Sequence, residues 1–181
     1  MPFIPTPITG LQLFEPQVFG DERGYFFEAY NKAIFTAAGI ENEFVQDNQA
    51  RSSLGVLRGL HFQEGPHAQA KLVRVISGSV FDVAVDLRSG SPTRYQWFGT
   101  TLSETNQRQL FIPKGFAHGY LVTSEWAVFA YKCDNFYAPQ AEGGLRYDDP
   151  TLAINWPKLS EAYTIAARDL AWPLLKPVST D

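Results

Sequence analysis

His61 closes an apolar, strand-like run from Leu54 to Leu60, with Arg58 three residues upstream and Phe62 beside it. Lys71, Arg74, Asp82 and Asp86 fall in the same sheet-forming region. Imidazole is the side chain suited to removing a proton near neutral pH. A developing oxyanion needs a nearby cation, which Lys71 can supply. An isolated histidine is more often a core residue satisfied by a backbone hydrogen bond; the charged company of His61 is what favours a base. Three residues apart, Arg58 and His61 face opposite sides of a regular strand, unless Gly59 marks a bulge that re-aims one of them.

The chain has three histidines and one cysteine. The residue two after His61 is Gln63 and the residue two before His118 is Phe116, so the paired-imidazole spacing of a strand-borne metal site is missing. A lone Cys133 cannot build a zinc site, and the expectation is chemistry without a metal. Cys133 cannot form an internal disulfide, which fits a reducing compartment, and it reads as a small residue on a strand. His118, brought to a strand start by Pro113-Lys114-Gly115, suits a structural role and a ligand contact equally. Tyr131 shares strand parity with Phe129 and Cys133, and an inward tyrosine is commonly packing with a hydrogen-bonded hydroxyl. Upstream, Gly20-Asp21-Glu22-Arg23-Gly24-Tyr25-Phe26-Phe27-Glu28 mixes ion-pairing groups with aromatics that suit a core or a flat slot for a base. Gln46-Asp47-Asn48 offers short polar groups at a strand end.

These residues need a β scaffold. Aromatics make up 14% of the chain, and turn signals recur between short strand-like runs, a spacing that suggests a sandwich or barrel. Lys71 to Ile76, the turn Ser77-Gly78, and Ser79 to Leu87 read as a β-hairpin. In its second arm Phe81, Val83, Val85 and Leu87 alternate with Asp82, Ala84 and Asp86, placing one face in a core. Tyr95 to Leu102 and Gln109 to Ile112 continue the series, and His118 to Thr123 with Ala127 to Cys133 suggest another antiparallel pair. Asn31 can cap a helix over Lys32 to Ala38 that ends at Gly39. Ser160 can cap a short helix from Glu161, weakened by Thr164 and Ile165. The fold expected is all-β, a jelly-roll or barrel with short helices.

The 181 residues contain no visible linker, repeat or low-complexity stretch, so a single domain over 1–181 is expected. A net charge of −4 and a pI near 5.4 argue against general nucleic-acid binding, although a few arginines can bind a small phosphate ligand. No run approaches the roughly 18 apolar residues of a membrane span. Met1-Pro2-Phe3-Ile4-Pro5 lacks the pattern of a signal peptide. The cytoplasm is the expected address.

Taken in order, Phe19 to Gly24, Phe44 to Asn48, Val56 to Gln63, Lys71 to Arg74, Val80 to Asp86, Ile112 to Gly119, Tyr131-Lys132, Asn135 to Pro139 and Trp156-Pro157 resemble the dTDP-4-dehydrorhamnose 3,5-epimerases, metal-free members of the cupin superfamily. The resemblance implies a cupin-type antiparallel jelly-roll barrel. It also implies inversion of carbons 3 and 5 of dTDP-4-keto-6-deoxyglucose through an enolate, with no cofactor. It makes His61 the base, Asp169 its partner, Lys71 the cation at the enolate oxygen and Tyr131 the acid on the opposite side. Arg23, Gln46, Asn48, Arg58 and His118 would contact the nucleotide sugar. Glu28 would hydrogen-bond thymine, Tyr137 would stack on it, and Glu142 would bind the nucleotide. Arg168 stands where the family commonly has lysine, which changes the contact geometry there. The family's homodimer would carry Arg23 and Glu28 into the neighbour's pocket. A mono-epimerase acting at one carbon, and a non-catalytic sugar-nucleotide binding protein on the same scaffold, remain alternatives.

Overall fold

A computed structural model describes residues 2–175; residue 1 and residues 176–181 of the expected single domain lie outside the described residues. The strands in chain order begin β1 (Phe3–Pro5), β2 (Gln12–Phe14), β3 (Phe19–Asp21) and β4 (Gly24–Phe26), followed by helix α1 (Lys32–Ala37). Then come β5 (Gln46–Ser53), β6 (Val56–Gln63), β7 (Lys71–Ser77), β8 (Ser79–Asp86), β9 (Trp97–Ser103) and β10 (Gln109–Ile112). The last elements are β11 (Phe116–Val122), β12 (Trp126–Cys133), β13 (Glu142–Gly144), β14 (Thr164–Ile165) and α2 (Ala167–Leu170).

Two sheets form the body. One has the order β1-β2-β10-β7-β12-β5, the other β13-β6-β11-β8-β9 with β14 added in parallel to β6. The expected all-β jelly-roll is thus the fold observed. Between the sheets, Val73, Val75, Leu110 and Phe129 pack against Val80, Ala84, Tyr120 and Val122, all buried. A second apolar layer, with Leu145, Leu152 and Trp156, covers the outer face of β6, β8 and β11.

Both expected hairpins are corrected. β7 and β8 lie in different sheets, as do β11 and β12. Gly78 (φ +80°) is a corner that carries the chain across the sandwich, and a Cβ there would meet Trp126 O at 2.1 Å. Thr123–Glu125 is a second corner and Leu54-Gly55 a third. They bind one another through Ser79 N–H to Ser124 Oγ (2.8 Å), Leu54 N–H to Glu125 O (2.9 Å) and Gly55 N–H to Val122 O (3.1 Å). A positive-φ glycine between two apolar runs serves a hairpin and a sheet-to-sheet corner alike, so alternation alone could not separate them. β8 is also buried on both faces. Val83 and Val85 sit under the outer layer, and the face bearing Asp82 and Ala84 lines the interior, with Asp82 and Asp86 fully buried.

Asn31 caps α1, its side chain accepting from Ala33 N–H at 3.0 Å, and Gly39 (φ +83°) follows the helix end, as expected. The helix expected from Glu161 does not form. The β-branched Thr164 and Ile165, which favour extended backbone, pair with Val56 and Leu57 instead, and α2 starts at Ala167.

Candidate active site

Register determines which side chains meet. Lys71 pairs with Cys133, Val73 with Tyr131 and Val75 with Phe129 across β7 and β12. Cys133, Tyr131 and Phe129 pair in turn with Gln46, Asn48 and Ala50 of β5. One inward-facing row of this sheet therefore contains Lys71, Tyr131, Gln46 and Asn48. On the facing sheet His118 of β11 pairs with His61, and Tyr120 pairs with Arg58. Gly59 and Leu60 thus stand opposite the single Gly119, a bulge of two residues against one. Gly59 holds φ +121°. The bulge satisfies the parity condition: Arg58 and His61 both line one cleft of about 380 Å³ between the sheets.

Within this cleft His61 Nε2 donates to Asp169 Oδ1 at 2.8 Å, and Gly59 N–H donates to Asp169 Oδ2 at 3.1 Å. Asp169, in α2, is 2% exposed. A carboxylate acceptor on Nε2 selects the tautomer whose Nδ1 lone pair is free to take a proton. Burial holds the His61 pKa below the ordinary imidazole value. Asp169 opposes this by raising it, while Lys71 and Arg168 lower it further. The ring is therefore neutral, as a base must be.

On the opposite wall, desolvation raises Tyr131 above an ordinary phenol, keeping its proton in place. Lys71 Nζ lies 5.9 Å from the Tyr131 ring centroid. Burial depresses Lys71, with Cys133, Asp82 and Glu142 opposing that shift. Burial also pushes the Cys133 thiol up to about 11, which makes it a poor nucleophile at neutral pH. His118 Nε2 bonds Asp82 Oδ2 at 2.9 Å, and the His118 ring stacks on Phe129. Arg58 donates through Nε and Nη2 to Ser52 Oγ, both at 3.2 Å.

The rim is polar. Gln46 Oε1 accepts from Tyr137 N–H at 2.9 Å, and Gln46 Nε2 donates to Asn48 Oδ1 at 3.1 Å. Glu142 accepts from both Tyr137 Oη (3.2 Å) and Arg168 Nη1 (3.1 Å). All of these residues line the cleft with His61 and Tyr131. Arg23 and Glu28 do not. Arg23 pairs with Asp21 in the exposed β3–β4 hairpin, and Glu28 accepts from Asn31. Phe19, Tyr25 and Phe26 of that segment are more than half exposed and not core; with Arg23 they line a separate surface recess of about 340 Å³.

Asp82 is the partner of His118 across 36 residues, a contact that no local pattern reports. Gln63 has a structural role that local spacing does not reveal. It ties the rim loop together, donating to His67 O and Phe136 O and accepting from Ala138 N–H. Among the described residues no three His, Cys, Asp or Glu side chains converge as metal ligands, and no helix is long and apolar enough to cross a membrane.

Known proteins share this arrangement of chain. The family model described as dTDP-4-dehydrorhamnose 3,5-epimerase matches residues 5–177. A curated dTDP-4-dehydrorhamnose 3,5-epimerase of Salmonella typhimurium is 52% identical over 95% of this chain and 94% of its own. That of Pseudomonas aeruginosa is 56% identical over 87% and 86%. The crystal structure of the Legionella pneumophila dTDP-6-deoxy-D-glucose-3,5-epimerase in complex with dTDP-4-keto-L-rhamnose superposes with a TM-score of 0.92 at 51% identity, covering 95% of this chain and 91% of that one. A 3'-monoepimerase of Streptomyces bikiniensis in complex with dTDP-quinovose gives 0.87 at 31% identity over 94% and 86%.

Proposed function

The chain belongs to the dTDP-4-dehydrorhamnose 3,5-epimerase family, and from that premise we infer that it inverts carbons 3 and 5 of dTDP-4-keto-6-deoxyglucose to give dTDP-4-keto-L-rhamnose. The observation that carries the mechanism is that His61 and Tyr131 stand on facing sheets of one cleft. Inverting a carbon next to a ketone needs a base on one face of the sugar ring and an acid on the other. His61 removes the proton, and the electron pair left on carbon delocalises onto the ketone oxygen, where Lys71 offsets the charge. Asp169 stabilises the imidazolium that forms. Tyr131 then delivers a proton from the opposite face. Solvent afterwards takes the proton from His61 and returns one to Tyr131, and the reaction balances without a redox cofactor.

Gln46, Asn48, Arg58 and His118 line the cleft beside these groups and would contact the sugar and diphosphate. Tyr137, Glu142 and Arg168 at the rim would meet the nucleotide. Arg23 and Glu28 lie apart from the cleft within one chain, in keeping with a homodimer in which the β3–β4 segment serves the neighbouring pocket. The reading carries with it a single epimerase domain and a cytoplasmic address, in keeping with the lone thiol of Cys133.

Incubation with the 4-keto sugar in heavy water tests the function. Deuterium at both carbons with formation of the L-rhamno product is expected; exchange and inversion at one carbon would replace this reading with a mono-epimerase, and the absence of exchange would leave a binding protein.

A further inference from the structure

Gly144 of β13 pairs directly with His61 of β6, so a side chain at 144 would stand beside the imidazole on the same face. That place is taken by another residue. The indole of Trp172, two residues beyond α2, lies over Gly144 so closely that a Cβ there would sit 2.4 Å from its ring-fusion carbons. The Trp172 ring meets His61 edge-on, with centroids 6.3 Å apart and planes at 68°. Among the described residues its buried Nε1 has no hydrogen-bond partner, so packing, not a polar tether, determines where the ring sits. Arg146 N–H donates to Pro173 O at 3.2 Å, docking the same segment along β13.

We propose that Trp172, seated in the gap left by Gly144, is a positioning residue for the catalytic pair, holding α2 against β13 and screening the His61–Asp169 hydrogen bond from water. This rests on His61 being the base. Asp169 lies three residues before Trp172 in the chain, so the position of the indole determines the distance between the carboxylate and the imidazole. The ring also covers part of His61, whose side chain stays 22% exposed. Edge-to-face contact with an aromatic partner supports one orientation of the imidazole.

The test follows His61 itself. Its titration is read by NMR in wild type, Trp172→Ala and Gly144→Ala, beside the pH profile of deuterium exchange into the 4-keto sugar. Water admitted to the pair relieves the burial that depresses His61. Its midpoint and the acid limb of the exchange profile should therefore both rise by about 0.5 pH unit or more in Trp172→Ala. Gly144→Ala, whose methyl displaces the indole, should produce the same rise, and should add almost nothing in a Trp172→Ala background. Unmoved midpoints in both single variants, with only a lower melting temperature, would overturn the proposal. The failure of His61 as base has a different signature: His61→Ala would keep wild-type exchange whatever the Trp172 variants do.

Discussion

Gly59 and Gly119 approach so closely across β6 and β11 that a Cβ on Gly59 would lie 2.6 Å from Gly119 Cα, and one on Gly119 would lie 2.7 Å from Arg58 O. This contact forms the bulge that turns Arg58 and His61 to one face and presents Gly59 N–H to Asp169. Gly59→Ala adds a methyl where the opposing backbone leaves no room, at a positive φ that disfavours any side chain. A loss of roughly 1–3 kcal/mol in unfolding free energy is expected. Activity should fall further than stability explains, because the displaced β6 re-aims the base. Chemical denaturation and kcat/KM check this together; a variant with normal turnover would mean that the bulge does not position His61.

That dependence on a bulge marks how far the chain could be read without its structure. Short runs between turn signals, with period-two alternation in Ser79 to Leu87, located most of the long strands but not β5 (Gln46–Ser53), whose polar residues read only as a strand end. Those runs could not distribute the strands between sheets, since Gly78 and Ser124 make corners from the residues that would make turns. His61 and Lys71 were legible as residue types suited to a base and a cation, whereas the parity of Tyr131 with Phe129 and Cys133 favoured packing, and its role as an acid came from the resemblance. The pairing of His61 with Asp169 spans 108 residues, and no local pattern reports such a contact; only resemblance supplied it. Arg23 and Glu28 were also carried by resemblance alone, and within one chain they stay outside the cleft.

The depressed pKa of His61 has a definite sign. A base whose pKa falls keeps its neutral form to lower pH, so the acid limb of kcat/KM should lie below 6.5, the ordinary value. Asp169→Asn removes the charge that raises His61. The limb should then move further down while the plateau drops by about a hundredfold or more, as the imidazolium loses its partner. A limb that moved up would contradict the burial account. His61→Ala should lose about 10²–10⁴-fold in exchange with nucleotide affinity largely kept.

Tyr131 is expected to separate two halves of the reaction. Tyr131→Phe keeps the ring that packs near Phe129 and removes the proton donor. Deuterium exchange at carbon 3 from the His61 side should continue while net inversion falls at least about tenfold. If inversion proceeds at the wild-type rate, the phenol is packing and another group delivers the proton.

Lys71 is expected to set the alkaline limb. Burial lowers its pKa and raises that of Tyr131, and both directions favour loss of the ammonium charge as the event behind the limb. Lys71→Met should cost about 10²–10³-fold in kcat, the scale of a lost oxyanion partner, with a smaller change in KM. In Tyr131→Phe the residual exchange should keep the wild-type alkaline limb. A limb that disappears with the phenol would reassign it to Tyr131.

Asp82 and His118 pose the question of what the second imidazole does. Their hydrogen bond lies on the wall opposite Lys71 and Tyr131, and Asp82 Oδ1 is buried with no hydrogen-bond partner among the described residues. The carboxylate serves His118 with one oxygen and leaves the other without a hydrogen bond, its charge met by the Lys71 ammonium whose pKa it raises. On the proposed reading, the bond fixes the tautomer with which His118 would meet the nucleotide sugar. Asp82→Asn preserves volume and removes the charge, so KM should rise about tenfold, the worth of one charge-assisted hydrogen bond, while kcat changes little. His118→Ala should raise KM similarly, and the double variant should be no worse than either single one, as expected of residues acting as a unit. A fall in kcat with KM unchanged would instead move His118 from binding the substrate to moving its protons.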